Sequence, residues 1–112
     1  ESESAYTKNK TVPTQYKIAP TSAAQDFCKA NPSHEKIAEI IQADLKQYLY
    51  TTRDAKQKND MYLFHRLEKP GVLVEIGYIT NPNDRYLLMQ KEYQEKVANI
   101  LTNSIIQYFY KK

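Results

Sequence analysis

Glu75 is the residue whose setting most needs a chemical explanation. It stands inside Val72-Leu73-Val74-Glu75-Ile76, a short apolar run bounded by Pro70-Gly71 on one side and Gly77 on the other. Length, β-branching and flanking breakers make this run a buried strand. Alternation then places Val72, Val74 and Ile76 on one face and Leu73, Glu75 and Gly77 on the other. An ionised glutamate there costs several kcal/mol, roughly, unless it is paired, neutral or open to a cavity. Two readings follow. Glu75 is a general acid/base at the C-terminal end of a strand, where α/β folds place their sites, or it is one half of a structural ion pair with a buried Arg or Lys.

The other chemistry-bearing residues point less firmly. His34-Glu35 begins like the His-Glu-x-x-His zinc helix, but the fifth position is Ala38, so the motif fails and His34 is expected to be a solvated first-turn residue. His65 lies in a run of strand composition beside Arg66, without a ligand neighbour in sequence. Cys28 is the single cysteine, so neither an internal disulfide nor a thiolate metal cage can form from it. The serines cluster in the N-terminal stretch and in loops, and no Gly-rich phosphate loop is present.

Composition sets the frame. A chain of 112 residues with 41% hydrophobic and 26% charged residues fits one globular domain with a modest core. The net charge of +3 suits an anionic polymer without requiring one, and no Lys/Arg cluster interleaves with aromatics, so nucleic acid is not an expected partner. No apolar run approaches the ~18 residues of a membrane span, and no secretory leader is visible. If the protein is exported, its leader has been removed or lies outside this sequence. Tyrosine is abundant, at ten residues, and glycine is limited to Gly71 and Gly77, both flanking the strand of Glu75.

The elements that must position Glu75 can be read in order. Residues 1–22 are polar and punctuated by Pro13 and Pro20, and predict a flexible or extended lead-in, with Gln15 to Ala19 as a short edge strand. Ala24 to Cys28 forms a second strand. Ser33 caps an amphipathic helix over residues 33–50, in which Ile37, Ile41, Leu45 and Tyr48 make the apolar stripe and Glu39, Asp44 and Lys46 face solvent. Residues 51–60 form an exposed, lysine-rich connection, and Met61 to Leu67 has strand composition. Asn81-Pro82-Asn83-Asp84 starts a short helix, with Asn81 as cap, Pro82 at the first position and Asp84 where a capping box wants a carboxylate. A long final helix buries Tyr93, Val97, Ile100, Leu101, Ile105, Tyr108 and Phe109, with Lys111 and Lys112 at its negative end. The pattern is α/β, a small sheet packed against amphipathic helices. The strands are too few to cover the apolar faces of both long helices, as if part of a larger domain were absent.

With these residues in place, a family resemblance emerges. Leu73-Val74-Glu75-Ile76-Gly77-Tyr78-Ile79-Thr80-Asn81-Pro82-Asn83-Asp84 resembles the strand-to-helix segment of the zinc-dependent N-acetylmuramoyl-L-alanine amidases, bacterial cell-wall hydrolases that read Leu-Val-Glu-x-Gly-Phe-x-Ser-Asn-x-x-Asp/Glu there. Ile37-Ala38-Glu39-Ile40-Ile41-Gln42 is similar to the family's Leu-Ala-x-x-Ile-Gln helix, and Arg53 matches an Arg that follows it. Tyr93-Gln94-Glu95-Lys96-Val97-Ala98 and Ile106-Gln107-Tyr108-Phe109 resemble the family's last helix. The resemblance runs from about residue 23 to 110, so residues 23–112 are expected to be amidase-like.

The resemblance implies that Glu75 is the catalytic carboxylate, working beside a zinc-bound water on the amide between N-acetylmuramic acid and L-alanine, with Arg53 as a substrate-binding residue. It implies peptidoglycan as substrate and an extracytoplasmic, cell wall-associated location. It also implies a departure. The family's zinc sits on two His and one Glu in its N-terminal half, one His in a His-Gly-Gly loop and the other in a Ser-Ile-His-x-Asn strand, and neither motif occurs here. The chain therefore resembles the C-terminal half of an amidase domain, with no metal ligands of its own, completed by an N-terminal half or a partner chain. Tyr78 and Thr80 stand where Phe and Ser are commoner. An amidase-derived module that binds cell wall or protein without catalysis, and a small domain with Glu75 in a structural ion pair, are the competing expectations.

Overall fold

The computed structural model describes residues 21–110. Strand β1 (Ala24–Phe27) leads into helix α1 (Pro32–Leu49), followed by the two-residue strand β2 (Lys56–Gln57), the short helix α2 (Tyr62–Arg66), strand β3 (Leu73–Glu75), and helices α3 (Pro82–Leu88) and α4 (Lys91–Tyr110). The expected strand at Gln15 to Ala19, most of the lead-in, and the Lys111-Lys112 end lie outside the described residues. The expected α/β class holds: a small mixed sheet is ordered β2-β1-β3, with β1 parallel to β2 and antiparallel to β3.

Helix α1 begins one residue earlier than its apolar stripe alone predicts, and its cap is Asn31 rather than Ser33. Asn31 is extended and its side chain accepts from the Ser33 amide at 2.9 Å. Pro32 then occupies the first helical position, where its missing N–H is no loss and its φ is already helical. The same Asn31 amide group donates to the Glu68 carbonyl at 3.1 Å, tying the helix start to the turn before β3. Asn31→Ala should lower stability by about 1–2 kcal/mol, read as a reduced urea midpoint. Asn31→Asp, which keeps the cap acceptor, should recover roughly half of the loss.

The core forms where α1 lies on β1 and α4 lies along α1. Ala23, Ile37, Ile41, Leu45, Leu49, Leu87, Tyr93, Val97 and Ile100 make one buried cluster, with Val72 and Leu88 packed against it. The stripe on α4 ends sooner than its periodicity predicts. Ile105 and Phe109 are 44% and 48% exposed, while Ser104 is fully buried, its hydroxyl donating to Asp44 Oδ2 at 2.6 Å. Asp44 is thus drawn to the helix–helix seam instead of facing open solvent.

Met61 to Leu67 is helix α2, not a strand. A run this short can be either element, and burial decides it. Only Phe64 is inward, whereas Tyr62 and Leu63 are 72% and 61% exposed, so there is no alternating face to lay on the sheet. The connection at 51–60 also contributes more than a loop, because Lys56 and Gln57 pair with Asp26 and Phe27 at the sheet edge.

Candidate active site

Strand β3 carries Glu75 out of the core and into a cleft. The register pairs Ala24 with Glu75 and Asp26 with Leu73, so these four residues share a face. Ala23 and Val72 belong to the opposite, helix-packed side. The alternation expected for Val72 to Ile76 is therefore present, but the strand is shorter and less buried than the sequence predicts. Residues 73–75 are half-buried and Ile76 is 38% exposed, because β3 sits at the edge of the described sheet with one face turned away from α1. The glutamate that looked costly in an apolar strand opens onto a cavity. That cleft, of about 670 Å³, is lined by Asp26, Arg53, Lys56, Lys58, Glu75 and Tyr78 among others.

Two residues that the resemblance singles out, Glu75 and Arg53, meet through a third. Tyr78 Oη donates to Glu75 Oε1 at 3.3 Å. Arg53 Nη1 donates to the Tyr78 hydroxyl oxygen, and its guanidinium carbon lies 5.3 Å from the Tyr78 ring centroid. Ion pairs among the described residues include Lys46–Asp54 and Lys58–Asp60, whereas the partner the structure gives the Glu75 carboxylate is the Tyr78 hydroxyl. Tyr78 was visible in the sequence only as a departure from a commoner Phe. Its spacing of three residues from Glu75, across a glycine that turns the chain, is the signal that would have found it. Asp26 was also missed, although alternation along β1 opposite β3 places it on the glutamate's face.

The supports of this trio come from three directions. Gly77 has φ +152°, a conformation side-chain-bearing residues rarely adopt, and a Cβ there would lie 3.2 Å from Leu88 Cδ1 and 3.3 Å from Asp84 Cβ. Asn81 caps α3 by accepting from the Asp84 amide at 3.0 Å, the first half of the expected capping box. The Asp84 carboxylate, only 2% exposed, serves the strand end instead: it accepts from Tyr78 N at 3.0 Å and Ser22 N at 3.2 Å. Arg53 is held from α1 and from the residue before β1. Gln42 donates to its carbonyl at 2.7 Å, and Thr51 bridges the Arg53 amide and the Ala23 carbonyl.

The histidines occupy other positions than expected. His34 is fully buried, not solvated. Its Nδ1 accepts from Gly71 N at 2.9 Å and its Nε2 lies 3.0 Å from the Phe64 carbonyl, which defines the neutral tautomer with the proton on Nε2. The ring is a strut between α1 and the turn before β3. His65 lies on α2, where Cys28 Sγ approaches its Nε2 at 3.6 Å. Among the described residues no group of three or more His, Cys, Asp or Glu side chains could hold a metal ion. With His34 committed to two backbone partners and Cys28–His65 lacking a third ligand, these residues do not fit a zinc site. No described helix is long and apolar enough to cross a membrane.

A family model described as N-acetylmuramoyl-L-alanine amidase matches residues 5–107. The germination-specific N-acetylmuramoyl-L-alanine amidase of Bacillus subtilis is 40% identical over 93 residues, covering 81% of this chain and 39% of that protein. The probable cell wall amidase LytH of Staphylococcus saprophyticus is 32% identical over 78 residues, covering 69% and 26%. Among solved structures, the CwlD amidase of Clostridioides difficile, determined in complex with the GerS lipoprotein, superposes with a TM-score of 0.76 at 27% identity, covering 85% of this chain and 49% of that one. The chain spans less than half the length of these relatives.

Proposed function

The chain belongs to the N-acetylmuramoyl-L-alanine amidase family, and from that premise we propose that it supplies the proton-transfer half of a site that hydrolyses peptidoglycan at the amide between N-acetylmuramic acid and L-alanine. The observation that carries this reading is the Glu75 carboxylate. It lies at the C-terminal end of a strand, is accessible from a cleft and is oriented by a hydroxyl rather than neutralised by a cation.

In this reaction a water oxygen bonds to the lactyl carbonyl carbon, the C–N bond breaks, and the L-alanine nitrogen leaves as an amine. Glu75 takes the proton released by the attacking water and returns it to that nitrogen, so the carboxylate is regenerated each cycle. The cleft wall mixes Arg53, Lys56 and Lys58 with Asp26, Asp60 and Glu75, so Arg53 can meet a carboxylate of a peptide stem while the acids meet its polar N–H groups.

The family resemblance implies zinc, which when bound would polarise the scissile carbonyl and acidify a water. The described residues do not form its cage, so its ligands would come from residues beyond them, in the same polypeptide or in a partner chain. A peptidoglycan substrate would put the protein outside the cytoplasm, at the cell wall.

Digestion of purified peptidoglycan by the complete protein tests the reading. The expected product is new N-terminal alanine without new reducing sugar ends. Reducing ends, or cleavage between amino acids of the stem, would sink it.

A further inference from the structure

We propose that Tyr78 is a positioning residue for Glu75, its hydroxyl aiming the carboxylate that exchanges the proton. This rests on the proton-transfer reading of Glu75.

The argument begins with the freedom Glu75 would otherwise have. A glutamate side chain that becomes fixed loses up to about 2 kcal/mol of rotamer entropy. Glu75 is only half-buried, and the ion pairs among the described residues do not restrain it. A proton shuttle needs its oxygen at hydrogen-bond distance from two successive partners, so an unrestrained carboxylate would spend much of its time pointing elsewhere.

The Tyr78 hydroxyl supplies the restraint, and it has few ways to point. It carries one proton. Arg53 Nη1 donates into its oxygen, so the O–H is left to donate, and Glu75 Oε1 at 3.3 Å is its acceptor. Donation from a cation into the hydroxyl oxygen also polarises the O–H and strengthens the bond it makes. Occupying Oε1 leaves Oε2 as the oxygen that exchanges the proton.

The phenol is itself anchored. Its backbone amide donates to the buried Asp84 carboxylate, and its ring lies beside the Arg53 guanidinium. Arg53 is in turn held by Gln42 of α1, which donates to its carbonyl, and by Thr51, which accepts from its amide and donates to the Ala23 carbonyl. Strand, turn and helix are thus joined at one hydroxyl. A phenylalanine would keep the ring packing and lose the two hydrogen bonds of the hydroxyl, the one from Arg53 and the one to Glu75.

The test uses Tyr78→Phe in the complete protein acting on purified peptidoglycan. The expected result is kcat lowered about 3–10-fold, KM within twofold of wild type and an unchanged urea midpoint. A Tyr78→Phe kcat within 1.5-fold of wild type (roughly the reproducibility of such assays), or a loss confined to KM, overturns the proposal. Glu75→Gln in the same assay separates the two readings. If it retains activity, the proton-transfer reading fails; if it is inactive while Tyr78→Phe is fully active, only the positioning role fails.

Discussion

Glu75→Gln is expected to lower peptidoglycan hydrolysis by the complete protein about 10²–10⁴-fold while leaving its fold intact. The amide has almost the shape of the carboxylate and still offers an oxygen to the Tyr78 hydroxyl, so the bond at Oε1 can survive. It cannot take a proton from water at neutral pH, so the step assigned to Glu75 is removed. Stability should change by no more than about 0.5 kcal/mol, as for a substitution that neither buries an unpaired group nor opens a cavity. Both numbers matter. A structural carboxylate would show the opposite pattern, with stability falling and activity following it. Product release on peptidoglycan and a urea titration on the same preparation decide between them. Activity within threefold of wild type would remove Glu75 from the chemistry.

What could be read from the chain was what is encoded locally. The strand of Glu75 declares itself through β-branched residues between Pro70-Gly71 and Gly77. The start of α3 declares itself through Asn81-Pro82, and that of α1 through its apolar stripe. Such signals need only a few neighbouring residues, and the structure bears them out with shifts of a residue or two. The cap of α1 shows how close such signals run: Ser33 and Asn31 are both good caps, and Pro32 favours Asn31 because its own φ suits the first helical position and it holds the residue before it extended, as a cap must be.

What could not be read depends on contacts across the fold. His34 looks solvated on its own helix, and becomes buried only because α2 and the turn at Gly71 close over it. Met61 to Leu67 has the composition of a strand, and becomes a helix because one anchor, Phe64, is all that the site can bury. The link from Arg53 through Tyr78 to Glu75 spans a sequence separation of 25. Periodicity does not encode it. The cost assigned to a glutamate in an apolar strand also changes with context, since an edge strand with one face away from the helices leaves that side chain accessible. An accessible edge position suits the proton transfer proposed for Glu75, because a shuttle must reach both its substrate and a restraining partner.

Asp84→Ala is the substitution with the largest expected cost to the fold. The carboxylate is 2% exposed and accepts from the amides of Tyr78 and Ser22, so it joins the end of β3 to the entry of β1. Truncation leaves both donors without an acceptor, at about 1–3 kcal/mol each, for a total loss near 3–5 kcal/mol in urea unfolding. Asp84→Asn isolates the electrostatic part. The amide keeps one acceptor oxygen but turns an NH₂ toward a backbone N–H, and about 1–3 kcal/mol should be lost. Gly77→Ala strikes the same joint by another route, because φ +152° is strained for alanine and the new Cβ meets Leu88 and Asp84. In each variant the Tyr78 amide is the group displaced, so catalysis should fall further than the folded fraction accounts for. A loss below about 1 kcal/mol in Asp84→Ala would show that the carboxylate is a bystander. The geometry of Glu75 would then have to be held by Arg53 and the sheet register alone.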